Sequence, residues 1–491
     1  MQFNSIIFIT LFLPVFLGIY YLLPQKGRNA FLVLFSLLFY TWGEKILVLV
    51  LLLSTIVNYW SGIGISKGYK KTGLYLGLLA NILILGLFKY YNFGATIIHE
   101  ICNSLSINFA YFKIIPGLIL PIGISFYTFR AISYLIDVYK GKSKASTNFI
   151  EFATFLTMFP LLLAGPIVRY SEIQNQIIRS QNISLFIAGI ERFIIGLGKK
   201  MLLANTFASI ADKIFDAQIS DISSINAWIG ISSYTLQIYY DFSAYSDMAI
   251  GLGNMLGFNI PENFNYPYVS KNIREFWKRW HITLSVWLRD YIFMPFAYSF
   301  SRKLKREKYL NVRSDHIIYS IAIFITFLIC GIWHGASWNF IAWGLWYGIF
   351  ILLEHFGLGK KLKKIWIPLQ HIYTLFVIML GWVIFRTNSL HESVSFMNKL
   401  FSFTAGDRSL NSYIHFFTIN AESVFITLLG ILFCTPIWNF IQEKADILRE
   451  KSPYFKIAVS TFASLLLIGI FIVSLSYITA GTFNVFIYFK F

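Results

Sequence analysis

The sequence predicts an all-α polytopic membrane protein, and three observations support this fold class. Of the 491 residues, 57% are hydrophobic and only 13% are charged, so the chain has more apolar surface than one soluble core can bury. Apolar runs long enough to cross a hydrocarbon layer of about 30 Å recur along the chain. These runs are continuous rather than alternating, which favours helices over a β-barrel. We therefore expect one integral-membrane domain over residues 1–491, with its core motif region at about 240–356.

The apolar runs predict about eleven to thirteen spanning helices, some of which need not cross completely. The first run, Ser5 to Leu23, has no Lys or Arg before it and no small-residue cleavage pattern after it, so we expect a permanent span rather than a removable signal peptide. The runs lie at roughly 5–23, 29–43, 45–63, 73–91, 114–136, 149–168, 185–207, 225–250, 317–333, 337–356, 366–386, 422–441 and 456–478.

Basic residues are concentrated in short loops between the apolar runs. The 41 Lys and Arg against 23 Asp and Glu give a net charge of +18, but the positive-inside rule explains this excess without a nucleic-acid partner. Three basic loops are predicted to be cytoplasmic, which places the N-terminus outside: Lys67 to Lys71, Arg302 to Lys308 and Lys360 to Lys364. The three cysteines have no metal-binding or disulfide spacing, and no metal site is expected.

The stretch between about 251 and 316 is not predicted to span the membrane. It contains Pro261, Pro267 and Pro295, many charges and several tryptophans. Polar, aromatic segments between apolar helices are typical of re-entrant or interfacial helices that line a protein cavity.

His334 is the first candidate catalytic residue. It ends the apolar run Ile317 to Trp333 and is followed by Gly335, Ala336 and Ser337, small residues that allow close approach. An ionisable group at membrane depth is a functional candidate by default. A neutral imidazole can accept a proton from an alcohol, although a buried structural histidine would give the same pattern.

A second group of candidates lies between Asn272 and Tyr291. On one continuous helix, Trp277, His281 and Ser285 would recur every four residues and form one face. The cationic residues around them would bind a phosphate of coenzyme A or of a carrier's phosphopantetheine arm, or else anchor the helix among lipid headgroups. The predicted donor-binding residues are Arg274, Trp277, Lys278, Arg279 and Trp280.

Two carboxylates, Asp241 and Asp247, lie inside the apolar run 225–250 and need partners. We expect Arg274, Arg279 or Arg289 to pair with them.

Four tracts, in this order, resemble the alginate O-acetyltransferase branch of the membrane-bound O-acyltransferases. They are Tyr240–Gly253, Glu262–Tyr268, Arg274–Ser285 and Trp333–Trp338. The opening, from Phe12-Leu13-Pro14 to Thr41-Trp42, is similar as well. The resemblance covers essentially the whole chain.

The resemblance implies a bundle of about eleven spans around a central funnel, with His334 as the catalytic histidine and His281 as a second functional histidine. Members of the branch take an acyl group, usually acetyl, from a cytoplasmic thioester and pass it towards a hydroxyl on an exported polymer. His334 would act as general base or assist thioester cleavage, while His281 would orient the acyl carbonyl or stabilise oxyanion charge.

The resemblance also implies the partners. No permanently bound cofactor is expected; acetyl-CoA or an acyl carrier thioester would be the donor substrate, and a glycan the acceptor. An extracytoplasmic SGNH or esterase-like acyltransferase is an expected partner, and the location would be the bacterial cytoplasmic membrane, among its lipids.

Two alternative functions are compatible with the sequence. One is D-alanyl transfer to teichoic acids, in which the basic loop Arg302 to Lys308 would bind an acidic carrier protein. The other is a non-enzymatic glycan transporter, although the paired halves typical of transporters are not evident. No residue identifies the acceptor polymer.

Overall fold

The computed structural model describes residues 1–107, 113–178, 182–309, 311–402, 421–481 and 486–487. Within these ranges the chain is almost entirely helical, and the only sheet is a hairpin of β1 (Lys308–Tyr309) and β2 (Val312–Arg313). The two strands are antiparallel, with Lys308 opposite Arg313. The predicted all-α fold is confirmed.

The helices follow one another with few long connections. Up to residue 173 they are α1 (Leu13–Leu22), α2 (Gln25–Glu44), α3 (Val48–Ser66), α4 (Lys70–Leu85), α5 (Tyr91–Ser104), α6 (Ile124–Tyr139), α7 (Phe149–Thr157), α8 (Phe159–Leu162) and α9 (Tyr170–Ile173). Then come α10 (Ile183–Gly198), α11 (Asn205–Phe215), α12 (Ser224–Met255), α13 (Ile273–Arg279), α14 (Ile282–Leu288), α15 (Met294–Lys303) and α16 (Ser314–His334). The last are α17 (Trp338–Leu353), α18 (Gly359–Leu362), α19 (Ile367–Arg386), α20 (Leu390–Phe401), α21 (Ala421–Phe433), α22 (Ile437–Lys451) and α23 (Pro453–Thr479).

The chain forms two compact units, each assembled from separate stretches of sequence. The first unit contains Met1–Ala188, Leu252–Pro261 and Ile332–Ser337. The second contains Gly189–Gly251, Glu262–Gly331 and Trp338–Phe491. The single integral-membrane domain expected for residues 1–491 stays a prediction.

Seven helical stretches among the described residues are long and apolar enough to cross a bilayer, and an eighth is α21 with α22, which are bent by 76°. They are Gln25–Ser66, Lys70–Ser104, Ile183–Phe215, Ser314–His334, Trp338–Leu362, Ile367–Arg386 and Pro453–Thr479. The most apolar window of Pro453–Thr479 is only 6% buried, and such an apolar exterior requires lipid as its solvent. The protein is therefore a multi-pass membrane protein.

The predicted first span, 5–23, forms only the shorter apolar helix Phe8–Leu22 and is not among the seven or eight. Apart from this and the two wrong spans described below, the count differs from the expected number of about eleven for two reasons. First, neighbouring helices are joined: α2 and α3 meet through the short turn Lys45–Leu47 and form one stretch of 42 residues. Second, the run at 225–250 lies within α12, which is largely buried in protein and is not apolar enough to count as a span.

Two of the predicted spans are wrong. In the run 114–136, helix α6 begins only at Ile124, because Pro116 and Pro121 disfavour helix before it and Gly123 adopts a left-handed φ of 81°. In the run 149–168, α7 ends at Thr157 and the four-residue α8 follows. Residues 152–168 are nevertheless buried inside the protein, which explains their apolar character.

Glycines allow α16 and α17 to pack with their backbones in contact. A Cβ atom on Gly331 would collide with the carbonyl oxygen of Phe340, and one on Gly344 would collide with the carbonyl oxygen of Phe327. This close antiparallel packing fixes the position of α16, whose last residue is His334.

Candidate active site

His334 is the last residue of α16 and is buried, with 5% of its surface exposed. The helix ends there: the next three residues, Gly335 to Ser337, are not helical, and α17 starts at Trp338. The predicted place of His334 at the end of an apolar helix is confirmed. The role of His334 in catalysis stays a prediction.

Lys89 and Tyr90 bind the end of α16 at its final carbonyl groups. The Lys89 Nζ donates to the carbonyl oxygen of Trp333 at 2.6 Å and to that of His334 at 3.3 Å. The Tyr90 hydroxyl donates to the carbonyl oxygen of Ile332 at 2.8 Å. The last carbonyls of a helix have no partner within the helix, and a cation there also interacts favourably with the helix dipole. The two side chains therefore fix the backbone that carries His334.

Lys89 was not among the site residues predicted from the sequence, although a signal was present. Lys89 is the only Lys, Arg, Asp or Glu in the apolar run 73–91. Lys89, like His334, is therefore an ionisable group at membrane depth and a functional candidate on the same ground.

Aromatic side chains of α6 surround Trp333, the neighbour of His334. The rings of Phe129 and Trp333 stack with centroids 5.4 Å apart, and Phe126 meets Trp333 edge-on at 5.6 Å. The Trp333 ring in turn lies edge-on to His334 at 4.6 Å. Aromatic rings therefore cover Trp333, whose own ring lies against the imidazole of His334.

His281 lies at a break between α13 and α14, and the predicted continuous helical face of Trp277, His281 and Ser285 is wrong. The backbone of His281 is left-handed, with φ 41° and ψ 56°. This conformation is uncommon in residues other than glycine, and it occurs most often where the surrounding structure or function demands it.

Asn263 explains the break at His281. Its side-chain Oδ1 lies 3.1 Å from His281 Nδ1 and accepts hydrogen bonds from the Thr283 amide at 3.2 Å and the Thr283 hydroxyl at 2.8 Å. Its main-chain oxygen accepts from the Ile282 amide at 2.9 Å. These bonds replace those of a continuing helix, so Asn263, which sequence reasoning missed, positions His281.

The imidazole of His281 is fully buried, and Phe242 packs edge-on against it with ring centroids 4.7 Å apart. His281 lies outside the candidate membrane spans, since none falls within the described residues between Phe215 and Ser314. Burial lowers the pKa of His281 to about 3, because removal from water penalises the charged imidazolium. His281 is thus neutral at physiological pH.

The predicted donor-binding residues fall into two groups. Trp277 and Trp280 are buried in an aromatic cluster, in which Trp277 meets Trp343 at 5.9 Å and Trp280 meets Trp382 at 5.0 Å. The three cations lie nearer the surface: Lys278 is exposed, while Arg279 pairs with Glu275 at 3.0 Å and Arg274 with Glu354 at 3.4 Å. Whether these five residues bind the donor stays a prediction.

Glu354 anchors the start of α13. Its carboxylate is buried and accepts hydrogen bonds from the amides of Ile273 at 2.7 Å and Arg274 at 3.2 Å. A negative charge at a helix N-terminus satisfies its free amides and interacts favourably with the dipole. Glu354 thereby orients the helix that leads to His281.

The predicted partners of Asp241 and Asp247 are wrong. Asp247 pairs with Arg192 at 2.7 Å and Lys199 at 2.6 Å, and Asp241 pairs with the buried Lys200 at 2.5 Å. These cations lie along α10 and the π-helical turn after it, rather than in the segment 274–289. Asp241 also accepts a hydrogen bond from the amide of Ile487 at 2.6 Å, so this network holds together α10, α12 and the C-terminal end.

Comparison with known proteins identifies the family. Residues 143–390 match the model of the membrane-bound O-acyltransferase family. The chain is 41% identical over 410 residues, 82% of this chain and 75% of the relative, to a Pseudomonas aeruginosa protein named "Probable alginate O-acetylase AlgI". It is 38% identical over 438 residues, 80% of this chain and 78% of the relative, to the "Peptidoglycan O-acetyltransferase" of Helicobacter pylori. The "Teichoic acid D-alanyltransferase" of Bacillus subtilis is 28% identical over 287 residues, 56% of this chain and 71% of that protein. This chain therefore belongs to the membrane-bound O-acyltransferase family and is an O-acyltransferase.

Proposed function

We propose that this protein takes an acetyl group from a cytoplasmic thioester and passes it to, or towards, a hydroxyl of an exported polysaccharide or cell-wall glycan. The similarity to relatives named for alginate and peptidoglycan O-acetylation, each over about four fifths of this chain, supports the acyl group and the acceptor class. The observation that carries the proposal is the position of His334. Its imidazole is buried, and Lys89 and Tyr90 hold the main chain at the end of α16.

In this mechanism His334 acts as the general base. The acceptor hydroxyl oxygen attacks the thioester carbonyl carbon while its proton passes to the imidazole. The carbon–sulfur bond then breaks, and the departing thiolate takes up the proton, which leaves His334 neutral. A positioned general base typically contributes about 10²- to 10⁴-fold to the rate. The aromatic packing around Trp333 supports this role, because exclusion of water protects a thioester from hydrolysis.

The cations of α13 are proposed to bind the phosphates of the thioester donor, acetyl-CoA or an acyl carrier. Lys278 is exposed and accessible to an anionic ligand. Arg274 is paired with Glu354, but 42% of its side chain is exposed, so part of its guanidinium also remains accessible. Arg279 is engaged with Glu275 and with the main chain of Asn265, so its contribution would be weaker. Trp277 and Trp280 would line the path of the acyl chain from their buried cluster.

The proposed location is the bacterial cytoplasmic membrane, with the basic loops on the inner side. An extracytoplasmic SGNH or esterase-like acyltransferase is proposed as the partner that completes transfer to the polymer.

D-alanyl transfer is the second candidate function, since the chain also resembles teichoic acid D-alanyltransferases. The segment from the end of α15 to β1 is strongly basic, and its cationic side chains are exposed, as in a docking site for an acidic carrier protein: Arg302, Lys303, Lys305, Arg306 and Lys308. Reversing the charges of Arg302, Lys303 and Lys305 should abolish carrier-dependent transfer and leave transfer from free acetyl-CoA intact.

The deciding experiment measures base-labile acetate in the envelope and secreted polysaccharide of cells that lack this protein. Complementation with wild type should restore acetate, and complementation with His334→Ala should not. His391→Ala is the matched control, because His391 is exposed on α20. Full acetate with His334→Ala would refute the catalytic assignment, and unchanged acetate in the deletion strain with altered envelope D-alanine would favour the second candidate.

A further inference from the structure

The hydrogen bonds around Asn263 determine which nitrogen of His281 carries the proton. The Asn263 side chain is completely buried, and its two ends have different partners. At one end three donors converge: the Thr283 amide, the Thr283 hydroxyl and His281 Nδ1, at 3.2, 2.8 and 3.1 Å. At the other end Nδ2 donates to the Ser246 hydroxyl at 3.2 Å.

The Thr283 amide makes this assignment independent of how the asparagine is drawn. A main-chain N–H can only donate, so the Asn263 atom that faces it must be the oxygen. The same oxygen faces His281 Nδ1, and an amide oxygen can only accept. His281 Nδ1 must therefore carry a proton, and in a neutral imidazole the other nitrogen, Nε2, then has a lone pair and no proton.

Several features keep the ring neutral. His281 is fully buried, and the carboxylate of Asp247, on the same helix as Ser246 and Phe242, is bound by Arg192 and Lys199. The other aspartate of that helix, Asp241, pairs with Lys200, and on α13 Arg279 pairs with Glu275. These charges are compensated by one another rather than by the imidazole.

We infer that Asn263 is a positioning residue that holds His281 in its Nδ1–H tautomer, so that His281 Nε2 accepts a hydrogen bond from a hydroxyl of the acyl acceptor other than the one that His334 deprotonates. This inference rests on the proposed acyl transfer. The carbonyl oxygen of a thioester, and the oxyanion formed from it, can only accept hydrogen bonds, so a lone pair at Nε2 would repel them. A glycan acceptor brings further hydroxyls, which can donate to Nε2 while the reacting hydroxyl gives its single proton to His334. The structure thus favours a different role for His281 from the oxyanion stabilisation expected from the sequence.

The backbone supports the same role. The left-handed conformation of His281 is held by two main-chain bonds, from Ile282 to Asn263 and from Asn265 to Arg279, both 2.9 Å long. A strained conformation that the surrounding structure fixes so firmly is typical of a side chain that must point in one direction.

Asn263→Asp tests the inference through the pH dependence of catalysis. A carboxylate in place of the amide would still accept a hydrogen bond from Nδ1, but its negative charge would raise the pKa of the His281 imidazole by about 1–3. The protonated ring has a proton on Nε2 and can no longer accept. We would measure kcat/KM for acetyl transfer in membrane vesicles as a function of pH and divide the value of the variant by that of wild type. Groups that titrate in the same way in both proteins then have no effect on this ratio. We expect this ratio to fall about tenfold per pH unit below the new pKa and to recover at alkaline pH.

Asn265→Asp is the matched control, because it introduces the same charge two residues away on an exposed side chain. Its ratio should not depend on pH. A ratio for Asn263→Asp that rises as the pH falls would mean that His281 acts as a donor to an oxyanion. A ratio that stays constant would mean that Asn263 is only structural. Either result overturns the inference.

Nitrogen NMR of the wild-type protein tests the tautomer without any assay of activity. In protein labelled with ¹⁵N-histidine, the His281 signals are those missing from His281→Gln. We expect Nδ1 to be protonated and Nε2 to be unprotonated at neutral pH; the reverse tautomer or an imidazolium would overturn the inference. If wild type transfers no acyl group, the proposed function fails, and the nitrogen spectrum still decides the tautomer.

Discussion

Replacing Lys89 by methionine keeps a long side chain and removes the ammonium group that binds the end of α16. The bond to the Trp333 carbonyl, 2.6 Å long, is charge-assisted, and such bonds contribute about 1.5–3 kcal/mol. Loss of a cation at a helix C-terminus adds about 0.3–1 kcal/mol. The total of about 2–4 kcal/mol corresponds to a decrease in kcat/KM of roughly 30- to 1000-fold if the whole loss is expressed at His334.

The assay is acetyl transfer from acetyl-CoA in membrane vesicles, normalised to the amount of protein, with the thermal midpoint of purified protein measured in parallel. Lys89→Arg keeps the charge and the donors and should retain more activity. Lys71→Met removes an exposed lysine of α4 and should have no effect. Wild-type activity and wild-type thermal midpoint in Lys89→Met would refute the argument that this lysine positions the histidine.

Three further predictions concern the scaffold around the site. Gly344→Ala should destabilise the protein by about 1–3 kcal/mol, because the added methyl meets the Phe327 carbonyl, whereas Gly94→Ala, with open space around it, should leave the thermal midpoint unchanged. Glu354→Gln should lower stability by about 1–3 kcal/mol, since an amide can accept at only one of the two positions that bind the start of α13; an unchanged midpoint would contradict this role. The pKa of His281 in the folded protein, about 3, lies below its ordinary value, so the unfolded chain binds a proton first as the pH falls. Relative to His281→Gln, the free energy of unfolding should be constant above about pH 6.5 and fall by about 1.4 kcal/mol per pH unit from there to about pH 3. Parallel pH profiles of the two proteins would disprove this.

Local hydrophobicity made most of the helices predictable. The backbone polar groups of a span must be hydrogen-bonded within the span, so a continuous apolar run such as 317–333 is expected to be a helix. Helix α16 is observed there. The same reasoning placed His334 at the end of that helix. It failed at 149–168, where apolar residues are buried by other protein segments rather than by lipid, a difference that composition does not reveal.

Periodicity gave the wrong geometry at His281. A repeat of four residues favours one helical face, but the hydrogen bonds offered by Asn263 outweigh the bonds of a continuous helix across residues 281 to 283. Their partner lies 18 residues earlier in the chain, where no local pattern points to it.

The sequence by itself determined the membrane class, the helical fold, the family resemblance and the two histidines, because hydropathy and short motifs are properties of neighbouring residues. The tertiary structure decided what holds those histidines. Lys89 binds a carbonyl 244 residues away, Glu354 binds an amide 81 residues away, and Asp241 pairs with Lys200 instead of the arginines expected. A buried charge or a free helix end requires some partner, but which partner reaches it depends on how distant segments pack, and packing is a property of the whole chain.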